Sequence, residues 1–282
     1  MKAVSKTIIA CSIAAASMFG TAAHAQTQSN DNFNTFTVNY AGFNFTADKM
    51  TGNYTEVATF TPNAGDATSG TFNVSLLWNA GQFITGGGNT QVLGTGLNNT
   101  DNVNGYGIYA LYTAAGTFGI ENGRNTFRFA EGSGALAMYL DTDLDTTFTR
   151  PTDGTSAFGR VDAGDDRLLA RGEPLSGTGV LDPTLPTCGP NGIACGLFGA
   201  TSDFNLTGFG PNFFTSPNPF YTMSFQSGQL NTFQPVGTQV INGSLDVVFS
   251  EPGEVPEPAS VALLGLGMLG LYGARRRNKK AA

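Results

Sequence analysis

Asp141, Asp143 and Asp145 form a D-x-D-x-D run at the end of an alternating segment, and Asp153, Asp162, Asp165 and Asp166 follow it. Alternate residues of an extended chain point to the same side, so the three carboxylates could converge on a hard cation such as calcium. The pattern is not that of an EF-hand loop. Its sixth position should be Gly and its twelfth Glu, where this chain has Thr146 and Thr152. A solvated acidic edge is therefore expected for Asp141, Asp143 and Asp145, with calcium as the alternative and no other cofactor implied. The same carboxylates could act as an acid/base pair in glycoside hydrolysis, but that chemistry needs two groups in different environments about 5 to 9.5 Å apart. Sequence spacing does not supply such a distance.

A second constellation is aromatic. Between Gly208 and Tyr221, Pro211, Pro217 and Pro219 interrupt any strand pattern while Phe209, Phe213, Phe214, Phe220 and Tyr221 persist. Rings held on an irregular, water-facing loop would make a contact patch for sugar rings. The expected arrangement is that they fold back over the edge of the domain, with the contact patch as the alternative. Trp78, the single tryptophan, falls in phase with Phe72, Val74 and Leu76 and is read as core.

The elements that would position these residues are strands. From Gln26 to Ser250 the chain is rich in Thr, Asn, Gly and Phe and lacks any long run with helical periodicity. Alternation recurs in Thr35 to Phe45, Tyr54 to Thr61, Thr71 to Trp78, Tyr106 to Tyr112, Thr117 to Ile120, Thr126 to Phe129, Leu136 to Asp141 and Arg167 to Ala170. It returns in Phe204 to Phe209, Tyr221 to Phe225 and Ser244 to Ser250, with Gly, Asn and Pro turns between the runs. Phe36, Val38 and Tyr40 occupy even positions and Phe43 and Phe45 odd ones, so the phase switches near Gly42, which predicts a bulge. The expected fold is all-β, one antiparallel β-sandwich domain over 26–250 with about ten to twelve strands. No fixed-period repeat suggests a solenoid or propeller.

Both chain ends carry addressing signals. Lys2 and Lys6, the apolar stretch Ile8 to Gly20 and the small-x-small Ala23-His24-Ala25 make residues 1–25 a secretory signal peptide, cleaved between Ala25 and Gln26. Cleavage removes the only histidine, which excludes a Ser-His-Asp triad, a Cys-His pair and His-liganded zinc from the mature protein. It also leaves seven Lys and Arg against all 21 acidic residues between Gln26 and Glu257, about −14 where the whole chain is −7. Such a domain repels nucleic acid. Cys188 and Cys195 flank a Pro-Asn-Gly turn and should pair as a local disulfide in an oxidising compartment, lacking the C-x-x-C spacing of a redox site.

At the other end, 251–258 is an acidic, Pro-containing linker that ends in Val255-Pro256-Glu257-Pro258. An apolar run, 259–274, follows, and then 275–282 with Arg275, Arg276, Arg277, Lys279 and Lys280. The apolar run reads as a single transmembrane helix with a basic cytoplasmic stop, which orients the main body away from the cytoplasm. Its sixteen residues would span roughly 24 Å as a helix, short of a hydrocarbon core of about 30 Å. That suits a temporary retention signal better than a permanent span. Gly265, Gly267 and Gly270 spell G-x-G-x-x-G, but no strand precedes them and a dinucleotide site is rejected.

This tail resembles the PEP-CTERM sorting tail of Gram-negative bacteria. The resemblance implies handling by an exosortase, a membrane transpeptidase that processes its substrate near the Pro-Glu-Pro motif. It further implies transient anchoring in the inner membrane with the body in the periplasm, then release to the cell surface or extracellular matrix. Phe45-Thr46-Ala47-Asp48-Lys49 running into Gly52-Asn53-Tyr54, Ser75-Leu76-Leu77-Trp78, Gly105 to Leu111, and Asn218-Pro219-Phe220-Tyr221 through to Val248 resemble flocculation-associated PEP-CTERM proteins. That likeness implies a non-enzymatic protein that holds cells and exopolysaccharide together as flocs. Two other functions remain open at this point: a carbohydrate-binding module using 209–221, and a glycan-active enzyme using the carboxylate cluster.

Overall fold

The computed structural model describes residues 33–188, 192, 194–228 and 230–251. The Ala25–Gln26 junction, the Val255-Pro256-Glu257-Pro258 motif, the apolar run 259–274 and the basic block with Arg275, Arg276, Arg277, Lys279 and Lys280 lie outside the described residues.

Among the described residues the chain forms β1 (Phe36–Tyr40), β2 (Phe43–Ala47), β3 (Lys49–Asn63), β4 (Asp66–Thr85), β5 (Thr90–Gln91), β6 (Gly107–Glu121), β7 (Arg124–Phe129), β8 (Ala135–Asp141) and β9 (Thr147–Thr149). It continues with β10 (Gly159–Val161), β11 (Arg167–Gly172), β12 (Pro174–Leu181), β13 (Gly196–Ser202), β14 (Asn205–Leu206), the single-turn helix α1 (Gly210–Phe213), β15 (Phe214–Ser216), β16 (Thr222–Ser227) and β17 (Gly237–Ser250).

The all-β expectation holds, but the sandwich is corrected to a barrel. Strands β6, β7, β12, β13, β16, β17, β3 and β4 pair in that order, all antiparallel, and β4 pairs back onto β6, so eight strands close a ring. Closure removes the free edges that a sandwich would leave. It is possible because β6 uses both of its edges. One edge takes β4 from Tyr109 to Phe118. The other takes β8 over Gly107 to Thr113 and then β7 over Gly116 to Glu121. Gly116 marks the handover: a Cβ there would lie 2.0 Å from the Arg128 carbonyl oxygen and 2.7 Å from the Phe72 ring. Strands β8, β11 and β14 continue outward from this branch point.

Even residues of β3, and of β4 from Phe72 to Ala80, face the interior. Tyr54 pairs with Trp78, Glu56 with Leu76 and Phe60 with Phe72, and their neighbours across the barrel complete one large core. Trp78 is fully buried, as its phase predicts, and its Nε1 donates to the Leu245 carbonyl at 3.1 Å. Each end of the barrel is covered. At the Met50 and Phe249 end, the small sheet β15-β1-β2 packs Phe36 edge-on to Phe249 with centroids 5.0 Å apart. At the Phe60 end, Phe233 stacks on Phe60 at 5.4 Å. Outside the wall, Val57, Leu77, Tyr109 and Phe158 form a second, smaller cluster beneath the segment that carries β9 and β10.

The phase switch near Gly42 is a tight hairpin rather than the expected bulge. Ala41 and Gly42 both have positive φ, 50° and 91°, and Tyr40 pairs with Phe43. Two left-handed residues reverse the chain, as in the primed hairpin turns that match strand twist. Chain reversal alone resets the alternation.

Candidate functional site

The acidic run does not converge as an extended strand would. β8 ends at Asp141, and the chain turns at once, with Leu144 at φ 61°. Asp143 and Asp145 are consequently exposed. The carboxylates that do assemble are Asp141, Asp165 and Asp166, with oxygens within 4.8 Å of one another. The candidate calcium ligand set is thereby corrected from Asp141, Asp143 and Asp145 to Asp141 with Asp165 and Asp166.

These oxygens already brace the turn. Asp141 Oδ1 accepts from the backbone N–H of Leu144 at 2.7 Å and Oδ2 from that of Thr146 at 3.2 Å. Asp165 Oδ2 accepts from the Thr142 hydroxyl at 2.7 Å and from the backbone N–H groups of Thr142 and Asp143 at 3.1 and 3.0 Å. Asp166 accepts from the Thr146 hydroxyl at 2.9 Å, from the Tyr109 hydroxyl, and from Arg160 at 3.1 Å. Arg160 in turn lies 4.1 Å from the centroid of the Tyr139 ring, which stacks on Tyr109. The hydrogen bond from the Thr142 hydroxyl holds Asp165 below the usual carboxylate range. An acid catalyst needs the opposite shift. Asp145 is raised, first by desolvation and then by Asp165 and its acidic neighbours, but it projects from the surface.

The aromatic segment is not a water-facing patch. Phe213 and Phe214 are 0 % and 1 % exposed, Tyr221 is buried, and Phe209 and Phe220 pack half-buried against the core. Phe214 lies 5.8 Å from Phe36 and 5.0 Å from Phe220, and Phe220 lies 5.2 Å from Phe249. The Tyr221 hydroxyl donates to the Thr35 carbonyl at 3.1 Å. The rings plug the end of the barrel because an open ring of strands exposes its apolar interior there. The rings fold back over the domain edge, as expected, and Phe213, Phe214 and Tyr221 are thereby closed to a glycan, whereas Phe209 and Phe220 keep part of their surface.

Cys188 and Cys195 pair as expected. The bridge sits where Cys195 and Leu230 exchange backbone hydrogen bonds with their surroundings: Cys195 N–H donates to Leu230 at 2.8 Å, and Leu230 N–H to Gly196 at 2.9 Å. It therefore helps to hold the segment from Leu230 to Phe233 across the Phe60 end.

One interior group was missed in the sequence. Glu56 lies on β3 between Leu76 of β4 and Ile241 of β17, 9 % exposed, with no hydrogen bond or ion pair to any described residue. A cavity of about 30 Å³ beside it is lined by Phe60, Phe72, Phe127, Phe198 and Phe233. Burial raises the carboxyl to about 7. The Tyr54 hydroxyl is buried without a partner on the same face, and the Tyr112 hydroxyl sits beside Ser202 Oγ without reaching hydrogen-bond geometry. The signal was legible: Glu56 is in phase with Tyr54, Ala58 and Phe60, so a strand that buries them also buries it.

The described residues thus make a closed all-β barrel, and no helix among them is long and apolar enough to cross a membrane. Residues 254–277 match the family model of the PEP-CTERM protein-sorting motif. The chain carries the sorting signal of an exported, exosortase-targeted protein, anchored at the membrane before processing. No curated protein and no solved structure matches it.

Proposed function

We propose that the barrel is delivered to the cell surface or extracellular matrix, where it promotes cell aggregation in association with exopolysaccharide. The match of 254–277 to the sorting motif carries this reading, because it makes the barrel the cargo of an export and processing route. Two further observations support interaction rather than turnover. The carboxylates at the end of β8 are committed to bracing a turn. The segment between Gln26 and Glu257 contains no histidine and carries an excess of acidic residues, which disfavours nucleic acid as partner.

The test is a settling assay on producing cells. Deleting the gene should slow floc settling, and the wild-type chain should restore it. A chain truncated after Pro252 should not, and intact mass of the surface-recovered wild-type protein should show loss of Arg275 to Ala282. Unchanged settling in the deletion strain would remove the aggregation role, whereas a retained basic tail would remove processing.

A further inference from the structure

Glu56 presents two carboxylate oxygens to the barrel interior and receives no donor from any described residue. Its carboxyl lines the interior cavity, and an ionised carboxylate so poorly solvated costs free energy that a bound donor would recover. No Lys or Arg among the described residues faces it. The titratable groups that do are the phenols of Tyr54 on its own strand and Tyr112 on β6. The other elements packed here offer only apolar side chains: Leu76 from β4, Phe198 from β13, Ile241 from β17, and Leu230 and Phe233 from the covering segment. The surroundings therefore supply phenol hydroxyls, which accept as well as donate, and aromatic faces, with no cation among the described residues.

We infer that the barrel interior beside Glu56 is a binding site for a small primary alkylammonium ion. An R–NH3⁺ head has three donors and no acceptor, which complements an acceptor-only carboxylate flanked by phenol oxygens. Phenylalanine faces attract a cation held within about 6 Å of their centroids. Size limits the ligand. A water needs about 10–15 Å³, so the cavity of about 30 Å³ favours an ion as small as methylammonium. The site is separate from the surface role proposed above and does not depend on it.

The experiment is NMR titration of the protein recovered from producing cells with ¹³C-labelled methylammonium. Ring currents from Phe60, Phe72 and Phe127 should move the methyl resonance of the bound ion upfield in a saturable way at pH 8.5. Ionisation of Glu56 near pH 7 implies binding about 30-fold weaker at pH 5.5, where only a few per cent of the carboxyl is ionised. Glu56→Gln, folded by circular dichroism, should abolish the shift. If that variant does not fold, the pH series and labelled methanol, a neutral molecule of the same size, still decide. No saturable shift at pH 8.5, equal binding by methanol, or binding indifferent to pH would each overturn the site and leave only a small hydrated cavity.

Discussion

Replacing Glu56 by Leu should stabilise the protein at pH 8 and do so much less at pH 4.5. The carboxyl moves from 4.5 to about 7 on folding, through burial. Between those values the folded protein holds a proton that the unfolded chain has released, so stability falls as pH rises through this window. Above 7 both states are ionised, and the native state bears the full penalty. At 1.36 kcal/mol per unit, the shift corresponds to about 3 kcal/mol. For a domain of this size each kcal/mol moves Tm by about 2–4 °C, so the variant should gain about 6–12 °C at pH 8 beyond its gain at pH 4.5. The difference between the two pH values is the decisive quantity, because added leucine packing contributes equally at both. The assay is thermal unfolding followed by far-UV circular dichroism, with Glu56→Gln as a volume-conserving companion. Asp165 and Asp182 do not confuse it. Their carboxyls are lowered, chiefly by the Thr142 and Thr184 hydroxyls, so the stability they contribute is lost only as pH falls below the chosen range. Equal gains at pH 4.5 and 8 would show that Glu56 is not desolvated in the native barrel.

Phe214→Ala should lower stability by about 3–5 kcal/mol, since a fully buried ring is removed from the plug. Co-sedimentation with exopolysaccharide, measured per folded molecule, should not change; a selective loss of co-sedimentation at unchanged Tm would restore the aromatic segment as a contact surface. Calcium or chelator should shift Tm by less than about 1 °C, because backbone N–H groups and hydroxyls already engage Asp141, Asp165 and Asp166. A rise of several degrees with calcium and a fall with chelator would mean that the ion replaces those donors.

Much of the wall of the barrel was visible as period-two alternation, and Trp78 is in the core as its phase predicts. Closure was not visible, because a sandwich and a barrel share the same in-out pattern and differ only in which edge meets which. The deciding contact, β4 against β6, joins Gly70 to Phe118 and Asn79 to Tyr109, a register that alternation does not encode. Strand β12 escaped for another reason. Gly177 and Gly179 stand where interior side chains would mark the period, and the rings of Phe129 and Phe127 occupy the space they leave. Small residues opposite large ones are how a narrow barrel fills its interior, so the apolar signal of β12 sits on its neighbour β7.

The same reasoning separates the two kinds of acidic residue. Asp141, Asp143 and Asp145 drew attention because they cluster in sequence, and clustering in sequence near a strand end usually means a turn, where backbone donors satisfy carboxylates cheaply. Glu56 stands alone in sequence and looks unremarkable by composition. Its position two residues from Tyr54 and two from Ala58 places it on the buried face, where nothing described donates to it. A charge in the core phase of a strand is thus more informative than three charges at its end. A fold that only needed to be stable would gain from an aliphatic residue at position 56, and the cost of the carboxyl is what directs attention to the barrel interior as a place where something binds.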